Sequence, residues 1–183
     1  MRRVASGSKT SVVAARAACP VAVVRREGEL EGTRTGVVVA VDEAGHGQHA
    51  VEVGFQEASL RQTTLTAVHV WPLGEPLMSY GYIPIMPEEV EDHRRGASAL
   101  LAEAVAGYAT TYPDVAVIQQ LIEGPVVDGL VDVSKTSQLL VMSRHGQARV
   151  GSLALGSVAR SCLAHAQCPL VVTPASRPFK NRP

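Results

Sequence analysis

The sequence predicts an open α/β fold in which five parallel strands form one sheet with helices on both faces. Five short apolar runs alternate with segments of helical spacing between residues 36 and 174. The first run, Val-Val-Val-Ala-Val at 37–41, is uninterrupted, which is typical of a strand buried on both faces. Strands that alternate with helices pair in parallel, because each helix carries the chain back across a face of the sheet.

The predicted elements follow one another in a regular order. The strands are expected at 37–41, 65–71, 115–122, 138–142 and 169–173. Apolar residues at helical spacing predict helices within 45–61, around 97–108, around 127–131 and at 157–166. Residues 72–87 are rich in Pro, Gly and Tyr and form the longest irregular stretch.

Composition and charge narrow the classes of protein to which the chain can belong. The 183 residues include 17 basic and 17 acidic side chains, so there is no basic field for nucleic acid. No apolar run reaches the about 20 residues that a membrane-spanning helix needs, and Arg16 and Pro20 disfavour a signal peptide. Cys19, Cys162 and Cys168 form no C-x-x-C pair and are expected to be small buried residues of a reducing compartment. We therefore expect a cytoplasmic protein without nucleic-acid or membrane partners.

The N-terminus repeats a pattern that is also found near the C-terminus. Gly7-Ser8 is followed by an alanine-rich segment and then by Cys19-Pro20-Val-Ala-Val-Val. Gly156-Ser157 is followed by a helical segment and then by Cys168-Pro169-Leu-Val-Val-Thr, at a constant offset of 149 residues. Such an offset favours a tandem duplication, and the alternative is a chance likeness of two alanine-rich helix–strand pairs.

The repeat sets the expected domain organisation. The expected segments are the C-terminal remnant of a preceding domain at 1–26, a linker at 27–35, the main domain at 36–174 and a flexible tail at 175–183. We predict that residues 21–24 lie antiparallel beside residues 170–172, within the chain or with another copy. This pairing would cover a sheet edge that otherwise invites aggregation.

A glycine-containing loop connects the fourth predicted strand to the last predicted helix. Residues 143–157, here called the closing block, contain Gly146, Gly151 and Gly156 and end on Ser157. Glycine lets the backbone approach a phosphate, and the N–H groups of a first helical turn point at it. The alternative is a turn that needs glycine only for its backbone angles. Ligands of open α/β folds sit beyond the carboxyl ends of the strands, where the closing block and Asp42 both lie.

Motifs along the main domain point to one family. The first strand ends in Asp42, the second ends close to His69-Val70, and residues 165–169 read His-Ala-Gln-Cys-Pro. The closing block has Ser143, two residues, Gly146, nine residues and then Gly156-Ser157. Over residues 36–173 the sequence resembles the universal stress protein family. Nucleotide-binding members of that family have glycine, two residues, glycine, nine residues and then Gly-Ser or Gly-Thr.

The resemblance implies a Rossmann-like five-stranded sheet and an adenine nucleotide, ATP, as the ligand. In ATP-binding members the first strand's acid and the backbone after the second strand hold adenosine, and the glycine block holds the phosphates, which Mg²⁺ can accompany. Carried over by position, the cofactor-binding residues are Ala40, Asp42, Val70, Ser143, Gly146, Gly156, Ser157 and Val158. The chain departs from the pattern at Ser143, which replaces a glycine, and at Ala40, where a relative can have proline.

The resemblance also implies a regulatory role and an association through the last strands. The expected function is an ATP-binding sensor or regulatory module of the stress response, present as a homodimer or as a pseudo-dimer of tandem domains. The chain lacks a recognised catalytic motif, so we expect no enzyme, although slow hydrolysis of a bound nucleotide stays open. One alternative is a nucleotide-independent module that acts through dimerisation and partner contacts, with Ser143 marking a degenerate phosphate loop.

A dinucleotide-binding protein is the other alternative. The run Gly45-His-Gly-Gln-His-Ala50 fits the G-x-G-x-x-G/A fingerprint. The second strand, however, ends in Trp71-Pro72 and not in the acid that would hold a ribose. Among the remaining polar residues, Arg144 and Arg149 could contact phosphates or be solvated, and we interpret His69 and His165 as structural.

Overall fold

A computed structural model describes residues 9–24, 34–42, 47–71, 87–144 and 155–174 of the chain. The helices are α1 Lys9–Arg16, α2 Gln48–Leu60, α3 Pro87–Ala106, α4 Val126–Ser134 and α5 Ser157–His165. The strands are β1 Val21–Val23, β2 Val37–Ala40, β3 Leu65–Trp71, β4 Val117–Glu123, β5 Leu139–Ser143 and β6 Leu170–Thr173. No helix within these ranges is both long and apolar enough to cross a membrane.

The described strands form one six-stranded sheet in the order β1-β6-β5-β2-β3-β4. Strands β2 to β6 pair in parallel, which confirms the predicted five-stranded parallel sheet. The sixth strand is β1, which comes from the N-terminal repeat and pairs antiparallel with β6. The predicted contact between residues 21–24 and 170–172 is therefore confirmed, and it is made within the chain.

The pairing of β1 with β6 is symmetric with respect to the sequence repeat. Val21 lies opposite Val172, Ala22 opposite Val171 and Val23 opposite Leu170. At the offset of 149 residues, Ala22 corresponds to Val171, so the central pair joins two equivalent positions. A pairing of this kind has the self-complementary form of a two-fold interface between like elements.

Two hydrophobic cores lie on opposite faces of the sheet. Buried side chains of α2 and α3, among them Phe55 and Leu101, pack on one face against Val37, Val39 and neighbouring strands. Side chains of α1, α4 and α5 pack on the other face against the alternate residues of the same strands. The arrangement confirms the predicted helices on both faces and the predicted burial of β2.

The cysteines divide between the core and the surface. Cys162 and Cys168 are buried as predicted, and burial, together with the neighbouring Cys168 thiol, raises the pKa of Cys162 to about 12. The prediction was wrong for Cys19, which is exposed. Cys19 lies in the turn between α1 and β1, and β1 is the outermost described strand at that end of the sheet. Cys168, its counterpart in the sequence repeat, lies in the hydrophobic core. Within the described residues, no further strand or helix covers the turn that holds Cys19.

Candidate functional site

The strand order reverses between β2 and β5, which are neighbours in the sheet. From β2 the chain adds β3 and β4 on one side, and it then crosses to add β5 and β6 on the other. The point at which the order reverses is where open α/β sheets bind ligands. Asp42 follows β2 and Ser143 ends β5, and the register Val39↔Val141 brings these two strand ends to about the same level. The predicted site residues therefore flank the switch point.

The start of α5 is tied to the ends of β5 and β6 by backbone hydrogen bonds. The Arg144 N–H donates to Thr173 O at 2.9 Å, and the Gly156 N–H donates to Arg144 O at 2.9 Å. Gly156 precedes α5 with φ −59° and ψ 154°, and within the described part of the chain no side-chain cap hydrogen bond is made at this helix start. The first-turn N–H groups at Ser157 and Val158 are of the kind that can bind an anion.

Ser143 brings a buried hydroxyl to this edge. Its exposed fraction is 8%, and its Oγ has no hydrogen-bond partner among the described residues. A buried hydroxyl without a partner costs free energy that a ligand oxygen could recover. The serine that departs from the family pattern is thus a side chain with an unused donor at the site.

The side chain of Val70 is enclosed by the core, so at this edge of the sheet the residue presents only its backbone. A Cβ on Gly129 of α4 would lie 3.0 Å and 3.1 Å from the two Val70 methyl carbons. Val68 O accepts from Val41 N on the β2 side, and Trp71 O accepts from Gly124 N on the β4 side. In a parallel strand, the N–H and C=O of successive residues face the two neighbouring strands in turn. The backbone groups of Val70, two residues after Val68, therefore face the β2 side. That is the side on which Asp42 lies.

Asp42 lies close to Gly47, the residue that precedes α2. Asp42 and Ala40 are both half-buried. A Cβ on Gly47 would lie 3.9 Å from Asp42 Oδ1, which is an ordinary van der Waals distance. His69 is 4% exposed, and its Nδ1 donates to Val41 O at 2.9 Å, so the side chain links the end of β3 to the end of β2.

The structure brings most of the predicted site residues to one edge of the sheet. These residues are Ala40, Asp42, Val70, Ser143, Gly156, Ser157 and Val158. Gly146 and Arg149 of the closing block lie outside the described residues, as do Gly45 and His46 of the dinucleotide fingerprint. His165 is exposed in the last turn of α5.

Arg144 has a contact that neither of its two sequence interpretations includes. Its Nη1 donates to Ala15 O at 3.0 Å and to Ala17 O at 3.2 Å. The guanidinium is therefore bound to the C-terminal end of α1 rather than being simply solvated. No periodicity or motif signals this contact, because it joins positions that are 129 and 127 residues apart.

The fold is that of an open α/β domain, and the candidate site lies at its switch point. The family model of the universal stress protein family matches residues 34–174. The chain belongs to the universal stress protein family.

Two mycobacterial relatives are longer than this chain. A universal stress protein of Mycobacterium tuberculosis is 32% identical over 171 residues, which cover 91% of this chain and 52% of the relative. One of Mycolicibacterium smegmatis is 31% identical over 171 residues, which cover 93% of this chain and 56% of the relative. The chain thus spans about half the length of these relatives.

Solved structures of the family share the fold. UspA of Lactobacillus plantarum superposes with a TM-score of 0.57 at 20% identity and covers 78% of this chain and 99% of its own. A universal stress protein solved in complex with cAMP has a TM-score of 0.56 at 20% identity, over 79% of this chain and 100% of its own. A structure from Archaeoglobus fulgidus has a TM-score of 0.60 at 15% identity, over 93% of this chain and 55% of its own.

Proposed function

We propose that this chain is a cytoplasmic regulatory module that binds ATP at the carboxyl edge of its sheet. The observation that carries the proposal is the junction of β5, β6 and α5. There, uncapped first-turn N–H groups stand near a buried serine hydroxyl that lacks a partner among the described residues. Both features suit phosphate oxygens, which accept several hydrogen bonds and interact favourably with the helix dipole.

Each site residue has a role that follows from its position. The phosphates take hydrogen bonds from the hydroxyls of Ser143 and Ser157 and from the backbone N–H groups of Ser157 and Val158. Gly156, whose own N–H donates to Arg144 O, lets the phosphates approach because it has no side chain. Gly146 stays a predicted phosphate contact that the family resemblance implies. Asp42 accepts from a ribose hydroxyl, the Val70 backbone pairs with adenine, and Ala40 is the last residue of β2 beneath them. Mg²⁺ would enter with the nucleotide, since phosphate oxygens are ligands that this ion prefers. The relative solved with cAMP supports an adenine nucleotide, because that ligand shares the adenosine portion with ATP.

Calorimetric titration with ATP tests the proposal through Gly156→Val. The backbone angles at Gly156, φ −59° and ψ 154°, are allowed for any residue, so the variant should fold. Its branched side chain would crowd the first turn of α5. If two hydrogen bonds to charged phosphate are lost, at about 1.5–3 kcal/mol each, ATP binding weakens by about 100-fold or more.

Gly107→Val is the matched control for this titration. Gly107 follows α3, which leads into the amino end of β4, and a Cβ there would meet no atom within 4 Å. The control should bind ATP as the wild type does. If Gly156→Val bound ATP as tightly as the wild type, the phosphates would not bind at the start of α5. If the wild type did not bind ATP, the nucleotide-independent partner module would be favoured.

We further propose that residues 9–24 are the closing helix and strand of a preceding domain of the same fold. The repeat and the symmetric β1–β6 register support this. Two solved structures that align over 99–100% of their own length cover 78–79% of this chain. The Archaeoglobus fulgidus structure aligns over only 55% of its own length but covers 93% of this chain. Only residues 175–183 follow the matched domain, so the additional coverage includes N-terminal residues. In a longer chain the last strands would then pair as a pseudo-dimer, and a homodimer through these strands is the second form expected.

A further inference from the structure

Arg144 connects the N-terminal segment, residues 9–24, to the proposed phosphate site. Its Nη1 donates to the carbonyl oxygens of Ala15 and Ala17 at 3.0 Å and 3.2 Å. The last carbonyl groups of a helix have no partner within the helix, so a guanidinium at this end of α1 supplies hydrogen bonds that the helix itself cannot. It also interacts favourably with the negative end of the helix dipole.

The backbone of the same residue is part of the phosphate site. Arg144 N bonds to Thr173 O and Arg144 O accepts from Gly156 N, each at 2.9 Å. The preceding residue is Ser143, whose buried hydroxyl lacks a partner among the described residues. The side chain of Arg144 therefore contacts the N-terminal segment, and its backbone contacts Gly156, the residue that precedes α5.

The side-chain contacts are partly buried and involve a charged donor. A charged donor strengthens a hydrogen bond, and partial burial shields it from competing water. The N-terminal segment is further fixed by β1 on β6 and by Ala14 and Ala15 in the core. A firmly held segment thus restrains the backbone position of Arg144 and, through it, of Gly156.

We propose that Arg144 is a positioning residue that couples docking of the N-terminal segment to nucleotide binding at the start of α5. The proposal rests on the ATP site proposed above. Docking of the segment holds the Arg144 backbone where Gly156 needs it, and a bound phosphate holds the same turn in place for the segment. Coupling of this kind is reciprocal, so ATP must stabilise the docked segment by the factor by which docking strengthens ATP binding.

Hydrogen exchange of the full chain, with and without saturating ATP, measures the coupling directly. In the wild type, ATP should slow amide exchange at residues 17–23 by about fivefold or more, the lower range of measured couplings. In Arg144→Met this protection should disappear and ATP binding should weaken by a similar factor. Arg144→Lys, whose ammonium can still donate to one of the carbonyls, should recover part of both effects.

Arg34→Met is the matched control, because Arg34 makes the same kind of contact elsewhere. Its Nη1 donates to the oxygen of Ser134, the last residue of α4, at 2.9 Å. Arg34 precedes β2 in the chain and therefore lies at the amino edge of the sheet, away from the proposed site. It should affect stability as Arg144→Met does and leave both ATP affinity and ATP-dependent protection unchanged.

The outcomes separate this proposal from the one on which it rests. No binding heat with wild-type protein overturns the ATP site and the coupling together. Binding heat with unchanged exchange at residues 17–23, or with faster exchange, overturns the coupling alone. Equal ATP affinity in Arg144→Met and wild type would also overturn the coupling alone, since the turn would then be held without the guanidinium.

Discussion

At the scale of single residues, the hydroxyl of Ser143 should have opposite effects on the free protein and on its nucleotide complex. In the free protein it is buried without a partner among the described residues, so Ser143→Ala should raise the free energy of unfolding by about 1 kcal/mol. In the complex it donates to a phosphate, so the same change should weaken ATP binding by about tenfold or more, the value of a hydrogen bond to a charged group. Chemical denaturation and calorimetry measure the two effects.

Ser134→Ala is the control for this pair of measurements. Ser134 is also buried, but its Oγ donates to Val131 O at 2.6 Å and accepts from Gln167 N at 2.9 Å. Its loss should lower stability by about 1–2 kcal/mol and leave ATP affinity unchanged. If Ser143→Ala also lowered stability, its hydroxyl would be satisfied in the free protein, and its assignment as a ligand donor would be wrong.

At the scale of elements, the close approach of α4 to β3 fixes the strand whose backbone is proposed to contact adenine. A Cβ on Gly129 would lie 3.0–3.2 Å from side-chain carbons of Val70 and Ile122, both on β-branched side chains that cannot easily rotate away. Gly129→Ala should therefore lower the free energy of unfolding by about 1–3 kcal/mol, because overpacking outweighs the gain in helix propensity. Gly96→Ala on α3 has no atom within 4 Å of the new methyl and should instead raise it by about 0.5–1 kcal/mol. Thermal or chemical denaturation measures both, and a stabilising Gly129→Ala would show that α4 can move away from β3.

The elements themselves could largely be predicted from the sequence, because their periodicities are strong. The predicted strand at 65–71 has those bounds in the structure, and the helix spacing of Val51, Gly54, Phe55 and Ala58 identified α2. The start of α3 was less visible. Residues 87–96 are mainly charged and carry little apolar periodicity, yet Pro87 and the acidic Glu88 and Glu89 are typical of a helix start.

At the scale of the whole molecule, the parallel sheet with helices on both faces could be predicted from the alternation of elements and from the family resemblance, whereas the order of the strands was not predicted. The β1–β6 pairing followed from the repeat. The anchoring of α1 by Arg144 could not be predicted, because it depends on a side chain crossing between segments that are far apart in the sequence. The burial of Ser143 likewise depends on the packing around β5, which the local pattern does not specify.

Mass spectrometry of the small molecules released when the purified full chain is denatured tests the central claim most directly. Binding of an adenine nucleotide at the start of α5 predicts that such a nucleotide is released in near-stoichiometric amount from the wild type. Gly156→Val should release none, and Gly107→Val should release as much as the wild type. An absence of nucleotide from the wild type, together with no binding heat at millimolar ATP, would contradict the claim.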